Sequence, residues 1–137
     1  MSYTEAQAQM LWRTWLSKLE VKTFKVENIG FSLPDLIIYK DGKITLHEIK
    51  LLKGNRILTS SFQMNTLTML KEGVSLVVYD VPVETFSVYP FVTLVNAPRV
   101  AQGKPGSGKL AVSLKDIVPD YSAKKYSEIP LDRLFRL

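Results

Sequence analysis

The chain of 137 residues has no cysteine and only one histidine, His47. The first absence excludes disulfides and zinc–thiolate centres, and the second excludes a histidine-rich metal site. Any metal must then be held mainly by oxygen, which favours magnesium, with manganese as its substitute. Long apolar runs are missing too: none approaches the roughly 18 residues that a membrane span needs. The amino-terminal Met1-Ser2-Tyr3-Thr4-Glu5 lacks the basic stretch of a signal peptide. The expected location is the cytoplasm, that of the host if a phage encodes the chain. Negative charge is in deficit, with 13 acidic residues against 18 Lys and Arg and a net charge of +5. A basic balance of this kind suits a polyanionic partner. The length suggests a single domain over residues 1–137.

What is present has a readable order. Thr4 followed by Gln7 spells a capping box, and a helix over 4–20 follows. Ala8, Trp12 and Leu16 form one apolar row and Leu11, Trp15 and Leu19 the next, so a wide stripe faces a core. Glu5 lies in the first turn at the edge of that stripe, where a carboxylate also suits the helix dipole. Residues 21–27 alternate as a half-solvated strand, and Asn28-Ile29-Gly30 turns the chain. Lys53-Gly54-Asn55-Arg56 reads as a basic loop. A second helix spans about 59–71, with Thr59, Ser60 or Ser61 as cap, Gln63, Leu67 and Leu70 on one face, and Gly73 as its stop. Val74 to Tyr79 is a nearly continuous apolar run, typical of a strand covered on both faces and reached by a crossover helix.

The most informative segment is Pro34-Asp35-Leu36-Ile37-Ile38-Tyr39-Lys40, then Asp41-Gly42, then Lys43 to Lys50. Two strands around an Asp-Gly turn make a β-hairpin. Alternation puts Glu48 and Lys50 on one face, with Ile44 and Leu46, and His47 on the other as a histidine packed under a helix. Asp35 begins the neighbouring strand, where its carboxylate can meet that of Glu48. Two carboxylates can hold a hard divalent cation, and a lysine beside them can stabilise charge on a phosphate. The plainer alternative is a turn aspartate and a solvated strand face. A face that changes from apolar to charged along one strand argues for a site instead.

This pattern, P-D, a spacer and E-x-K, resembles the PD-(D/E)-x-K nuclease superfamily. The resemblance covers residues 4–80 and implies an α/β, restriction-endonuclease-like fold. Its mixed central sheet is flanked by helices in the order α-β-β-β-α-β. It implies that Asp35, Glu48 and the Ile49 carbonyl bind Mg2+, that Lys50 positions water or stabilises charge, and that Glu5 joins them from the first helix. Gln63 matches a helical glutamine of the Holliday-junction resolvase and phage-type branches. The implied activity is that of a metal-dependent endodeoxyribonuclease, resolvase-like, acting as a homodimer on four-way or otherwise branched DNA. The alternatives are a restriction or repair endonuclease on duplex DNA, and a nuclease-like module that binds nucleic acid without cutting.

The remainder, 81–137, resembles nothing nameable. Phe86 to Val95 suits a strand interrupted by Pro90, residues 97–109 a mobile loop, and Leu110 to Leu114 a short strand. Gly103 to Lys109 spells most of a phosphate-binding P-loop, but Leu110 replaces the required Ser or Thr. It is read as a glycine-rich basic loop instead. Lys53, Asn55, Arg56, Lys104, Lys109, Lys124 and Lys125 are the candidate DNA contacts, and Phe135 and Leu137 the candidates for a dimer surface.

Overall fold

The computed structural model describes residues 2–27 and 33–135. The expected turn at Asn28-Ile29-Gly30 and the dimer candidate Leu137 lie outside them. Helix α1 (Glu5–Lys18) opens with the predicted capping box. Thr4 Oγ1 accepts from the Gln7 N–H at 3.1 Å, and Gln7 Oε1 from the Thr4 N–H at 2.8 Å. Such a cap contributes about 1 kcal/mol. Ala8, Trp12 and Leu16 are fully buried, as their row requires.

Strands β1 (Lys22–Lys25), β2 (Leu36–Lys40) and β3 (Lys43–Leu51) form an antiparallel meander. At the β2–β3 turn Asp41 and Gly42 both have positive φ, 51° and 81°. That geometry strains most residues but suits Asp-Gly. After β3 a turn closed by the Lys53–Arg56 bridge leads into β4 (Arg56–Ser60). The basic loop is thus shorter than the sequence suggests, and Thr59 belongs to a strand. Helix α2 (Ser61–Met69) is capped by Ser60, whose hydroxyl accepts from the Gln63 N–H at 3.0 Å. It passes through a 3-10 turn, Lys71–Gly73, into β5 (Val74–Asp80), which pairs parallel to β3. Strand β6 (Thr85–Pro90) ends at its proline, and a 3-10 turn follows at Phe91–Leu94.

Residues 97–109 are not an open loop. They hold β7 (Arg99–Gln102) and a turn into β8 (Lys109–Ser113). A strand before and a strand after that turn confirm that the glycine-rich segment is no P-loop, which needs a helix after it. β9 (Tyr121–Ala123) and the short α3 (Leu131–Leu134) complete the chain.

The large mixed sheet has the order β1-β2-β3-β5-β6-β9, and a small antiparallel sheet has β4-β8-β7. On one face of the large sheet, Trp12 and Leu16 of α1 pack on Leu36, Ile38, Ile49, Val77 and Phe86. On the other, Met64 and Leu67 of α2 and Ile57 and Val112 of the small sheet pack on Leu76 and Val78. Strand β5 is therefore covered on both sides, which explains its unbroken apolar run. Each fully buried side chain of this kind contributes about 1.5–3 kcal/mol. Phe135 packs against the first cluster. It faces the protein's own core, so it is a poor choice for a dimer surface. Among the described residues no helix is long and apolar enough to cross a membrane.

Candidate active site

Alternation along β3 separates two environments. Ile49 and Leu51 join the cluster under α1, and Leu46 joins the one under α2. His47, fully buried, accepts a hydrogen bond from Trp12 Nε1 on its Nδ1 at 3.0 Å. Burial lowers its pKa to about 3. It is a neutral core residue on the α1 face. Glu48 and Lys50 lie on the opposite face, and both are buried. The apolar start of that face is only partly covered: Leu46 packs inward, while Ile44 at the hairpin tip is 57% exposed.

Asp35 stands just before β2. Its Oδ2 accepts the Ile49 N–H at 2.8 Å, beyond Leu36 and His47, the last pair of the β2–β3 ladder. A side chain thus takes the place of the next ladder acceptor. In an extended strand a residue's N–H and C=O leave on the same side, so the Ile49 carbonyl is directed to the same edge.

Glu48 is fully buried, and Gln63 Nε2 donates to its Oε2. The Thr59 hydroxyl donates to Gln63 Oε1 at 2.6 Å. The amide is therefore held with its nitrogen toward Glu48. The other carboxylate oxygen, Oε1, is buried and meets no N–H or hydroxyl donor, while the Glu48 and Asp35 carboxyls lie close enough to share a proton. Burial first, and then the adjacent Asp35 carboxyl, raise the Glu48 pKa well above the usual carboxylate range, with Lys50 opposing. Glu5 enters from the first turn of α1. Its residue is exposed at the rim, yet neighbouring protein atoms still desolvate the carboxyl enough to raise its pKa. Asp35 adds to the rise, while Lys50, a backbone hydrogen bond with Leu51 and Lys53 oppose it.

Among the described residues no three acidic or histidine side chains are grouped closely enough to hold a metal by themselves. The candidate donor set is smaller: two carboxylates and a backbone carbonyl. A buried carboxylate oxygen without a donor is costly unless a cation or a proton meets it. The set therefore fits magnesium, which binds through one or two carboxylates and keeps several waters.

The sequence candidates Asp35, Glu48, Ile49, Lys50, Glu5 and Gln63 thus come together. Glu5, Lys50 and Gln63 border a cleft of about 500 Å³ whose far wall is the small sheet, including Lys109 and Gln102. Lys53 acts on Glu5 at the rim. Asn55 and Arg56 flank the start of β4, and Lys104 sits in the β7–β8 turn. Lys124 and Lys125 follow β9, three strands from β3; Lys124 Nζ donates to the Val83 carbonyl at 3.3 Å. They are apart from the carboxylates. Sequence reasoning missed Thr59 as the residue that orients Gln63, and Gln102 on the far wall of the cleft, since both depend on how the small sheet folds back.

No protein-family model matches the chain, and no curated protein does. Solved structures do. One is the Holliday junction resolvase of the archaeal hyperthermophile Archaeoglobus fulgidus, at 14% identity and a TM-score of 0.53, covering 80% of this chain and 85% of the resolvase. Another is a bacterial homing endonuclease, at 18% identity and a TM-score of 0.52, covering 79% and 83% of the two chains. At these identities the likeness is one of fold: α/β, with the restriction-endonuclease-like mixed sheet and flanking helices.

Proposed function

We propose that this protein is a metal-dependent endodeoxyribonuclease that hydrolyses DNA phosphodiester bonds and prefers branched DNA such as four-way junctions. The observation that carries the reading is the buried Glu48 carboxyl beside that of Asp35, with one oxygen that meets no N–H or hydroxyl donor and with Lys50 on the same strand face. Asp35 and Glu48, with the Ile49 carbonyl, would hold Mg2+ (or Mn2+). Bound there, the ion would lower the pKa of the attacking water and offset charge on the phosphate. Gln63, held by Thr59, fixes one Glu48 oxygen and leaves the other for the ion. Lys50 places its ammonium group against a non-bridging phosphate oxygen as charge develops there. Glu5 at the rim is positioned to orient water. Lys53, Asn55, Arg56, Lys104, Lys109, Lys124 and Lys125 supply backbone contacts with phosphate. A homodimer would present two such sites to two strands.

The fold shared with a homing endonuclease favours a second reading, cleavage of duplex DNA without a junction. Against a module that only binds, the complete acid–acid–lysine set would be a needless electrostatic cost. One gel separates the readings: labelled junction, flap, duplex and single strand, each with magnesium, calcium or chelator. Cutting should need magnesium or manganese, whereas calcium should support binding alone. Asp35→Asn, Glu48→Gln and Lys50→Ala should each lower cleavage about a hundredfold or more, roughly 3 kcal/mol of transition-state stabilisation, while DNA binding persists. Full cleavage in excess chelator, or by Lys50→Ala, would overturn the mechanism.

A further inference from the structure

The cleft beside Lys50 is mostly apolar, and a phosphodiester has no use for apolar walls. Leu58 of the small sheet lines it and is 45% exposed, while Leu110, which pairs with Thr59 on the other face of that sheet, borders it partly buried against the cluster under α2. We propose that this cleft receives one unpaired base of the DNA strand, next to the phosphate held at Lys50. The inference rests on the nuclease reading above and names what that site takes besides phosphate.

Four observations support it. The volume, about 500 Å³, lies within the roughly 300–1,000 Å³ of small-ligand sites. Cations flank the apolar wall, with Lys50 on the inner side and Lys109 on β8, so the phosphates on either side of an extruded base each meet a positive charge. Gln102 pairs in register with Lys109 across β7–β8 and also lines the cleft. An amide carries both a donor and an acceptor, which is what a base edge offers in return. The wall is also fixed in place. The Gly108 carbonyl accepts the Ser61 N–H at 2.7 Å, tying the hairpin turn to the start of α2. Gly108 has a φ of 77°, a backbone conformation that glycine adopts without the strain a side chain would bring. Apolar side chains packing on an extruded base are a common way to hold it outside the helix.

The test is binding of the full chain in chelator to three duplexes of one sequence: fully paired, with a single-nucleotide bulge, and with the same bulge made abasic. The abasic bulge keeps the flexible backbone and removes only the base. The base-bearing bulge should bind about tenfold or more tighter than the abasic one. Leu58→Ser and Gln102→Ala should erase that difference while leaving the affinity for the abasic duplex as it was. Both positions are at the surface of the small sheet, and either variant alone suffices. Equal affinity of the parent protein for the two bulges overturns the proposal, as does a preference that both variants retain. The two levels of inference separate cleanly. Magnesium-dependent cutting without base discrimination removes the base site and keeps the nuclease; discrimination without cutting does the reverse. A chain that binds none of the three duplexes refutes both.

Discussion

Glu48 has opposite effects on folding and on the proposed chemistry. Its folded-state pKa is raised by burial and by Asp35. A carboxyl of that kind contributes its full stability below the unfolded pKa, near 4.5. The contribution is lost as pH rises through the folded value. At neutral pH without metal, holding this carboxyl in its buried place therefore works against the fold. Glu48→Gln keeps the acceptor for Gln63 and gives Asp35 a donor, so the variant should melt several degrees above the parent in chelator at pH 7 to 8. The gap should shrink as pH falls toward 4.5. Circular dichroism melts across pH would show it, and a variant that melts lower at neutral pH would contradict the account. Added magnesium should narrow the gap from the other side, by stabilising the parent alone.

Between elements, the decisive link runs from β4 to α2. Thr59 is the penultimate residue of the strand, and its hydroxyl sets the orientation of the Gln63 amide. Thr59→Val keeps the shape but removes the donor, and lets the amide turn its oxygen toward a carboxylate. Metal affinity measured by Mn2+ titration should fall roughly tenfold or more. Thr59→Ser should restore most of it. A change in melting temperature without a change in affinity would mean that the hydroxyl only supports the fold. Much of this level was legible in the chain. The capping box at Thr4 and Gln7, the Asp-Gly turn and the apolar run of β5 are local signals, and each is where the sequence puts it. Alternation puts Glu48 and Lys50 on one face and Asp35 opens the neighbouring strand, whereas Gln63 enters as a site residue through the resemblance to the nuclease superfamily. Of the small sheet only β8 was legible, as the short strand expected at Leu110 to Leu114. β4, β7 and β8 are four or five residues long and polar in part, and β4 and β8 pair across a long stretch of intervening chain. No local pattern marks such a partnership, so Thr59 looked like a helix cap and residues 97–109 like a loop. Ile44 misled in the other direction: periodicity gives it the site's face, but it stays exposed at the hairpin tip.

At the level of the whole molecule, the net charge of +5 bears on association more than on fold. Affinity for a four-way junction should fall linearly in log–log form with salt, as lysines and arginines displace counterions from phosphate. If two copies share a junction, light scattering at micromolar concentration should report a dimer and nicks should fall at two symmetric positions. A monomer that cuts linear duplex as fast as junction would leave only the general endonuclease reading. The apolar surface for a dimer must come from somewhere other than Phe135, and Phe62 and Met69 on α2, 54% and 86% exposed, are open to it.

The adjacency of His47 and Glu48 has a consequence for how the chain finds its structure. Consecutive residues of β3 are both wholly buried, one in a dry aromatic nest with Trp12 and the other among amides and carboxylates. Strand pairing can slip by one position, and a slip exchanges every side chain between faces. Here it would thrust a carboxylate under the indole of Trp12 and leave an imidazole facing Gln63. The carboxylate would be buried among aromatic rings, away from Asp35 and Lys50, and both errors would arise in the same step. The two neighbours thus tie the register of the central strand to two unlike environments at once, which favours the native alignment over the adjacent ones.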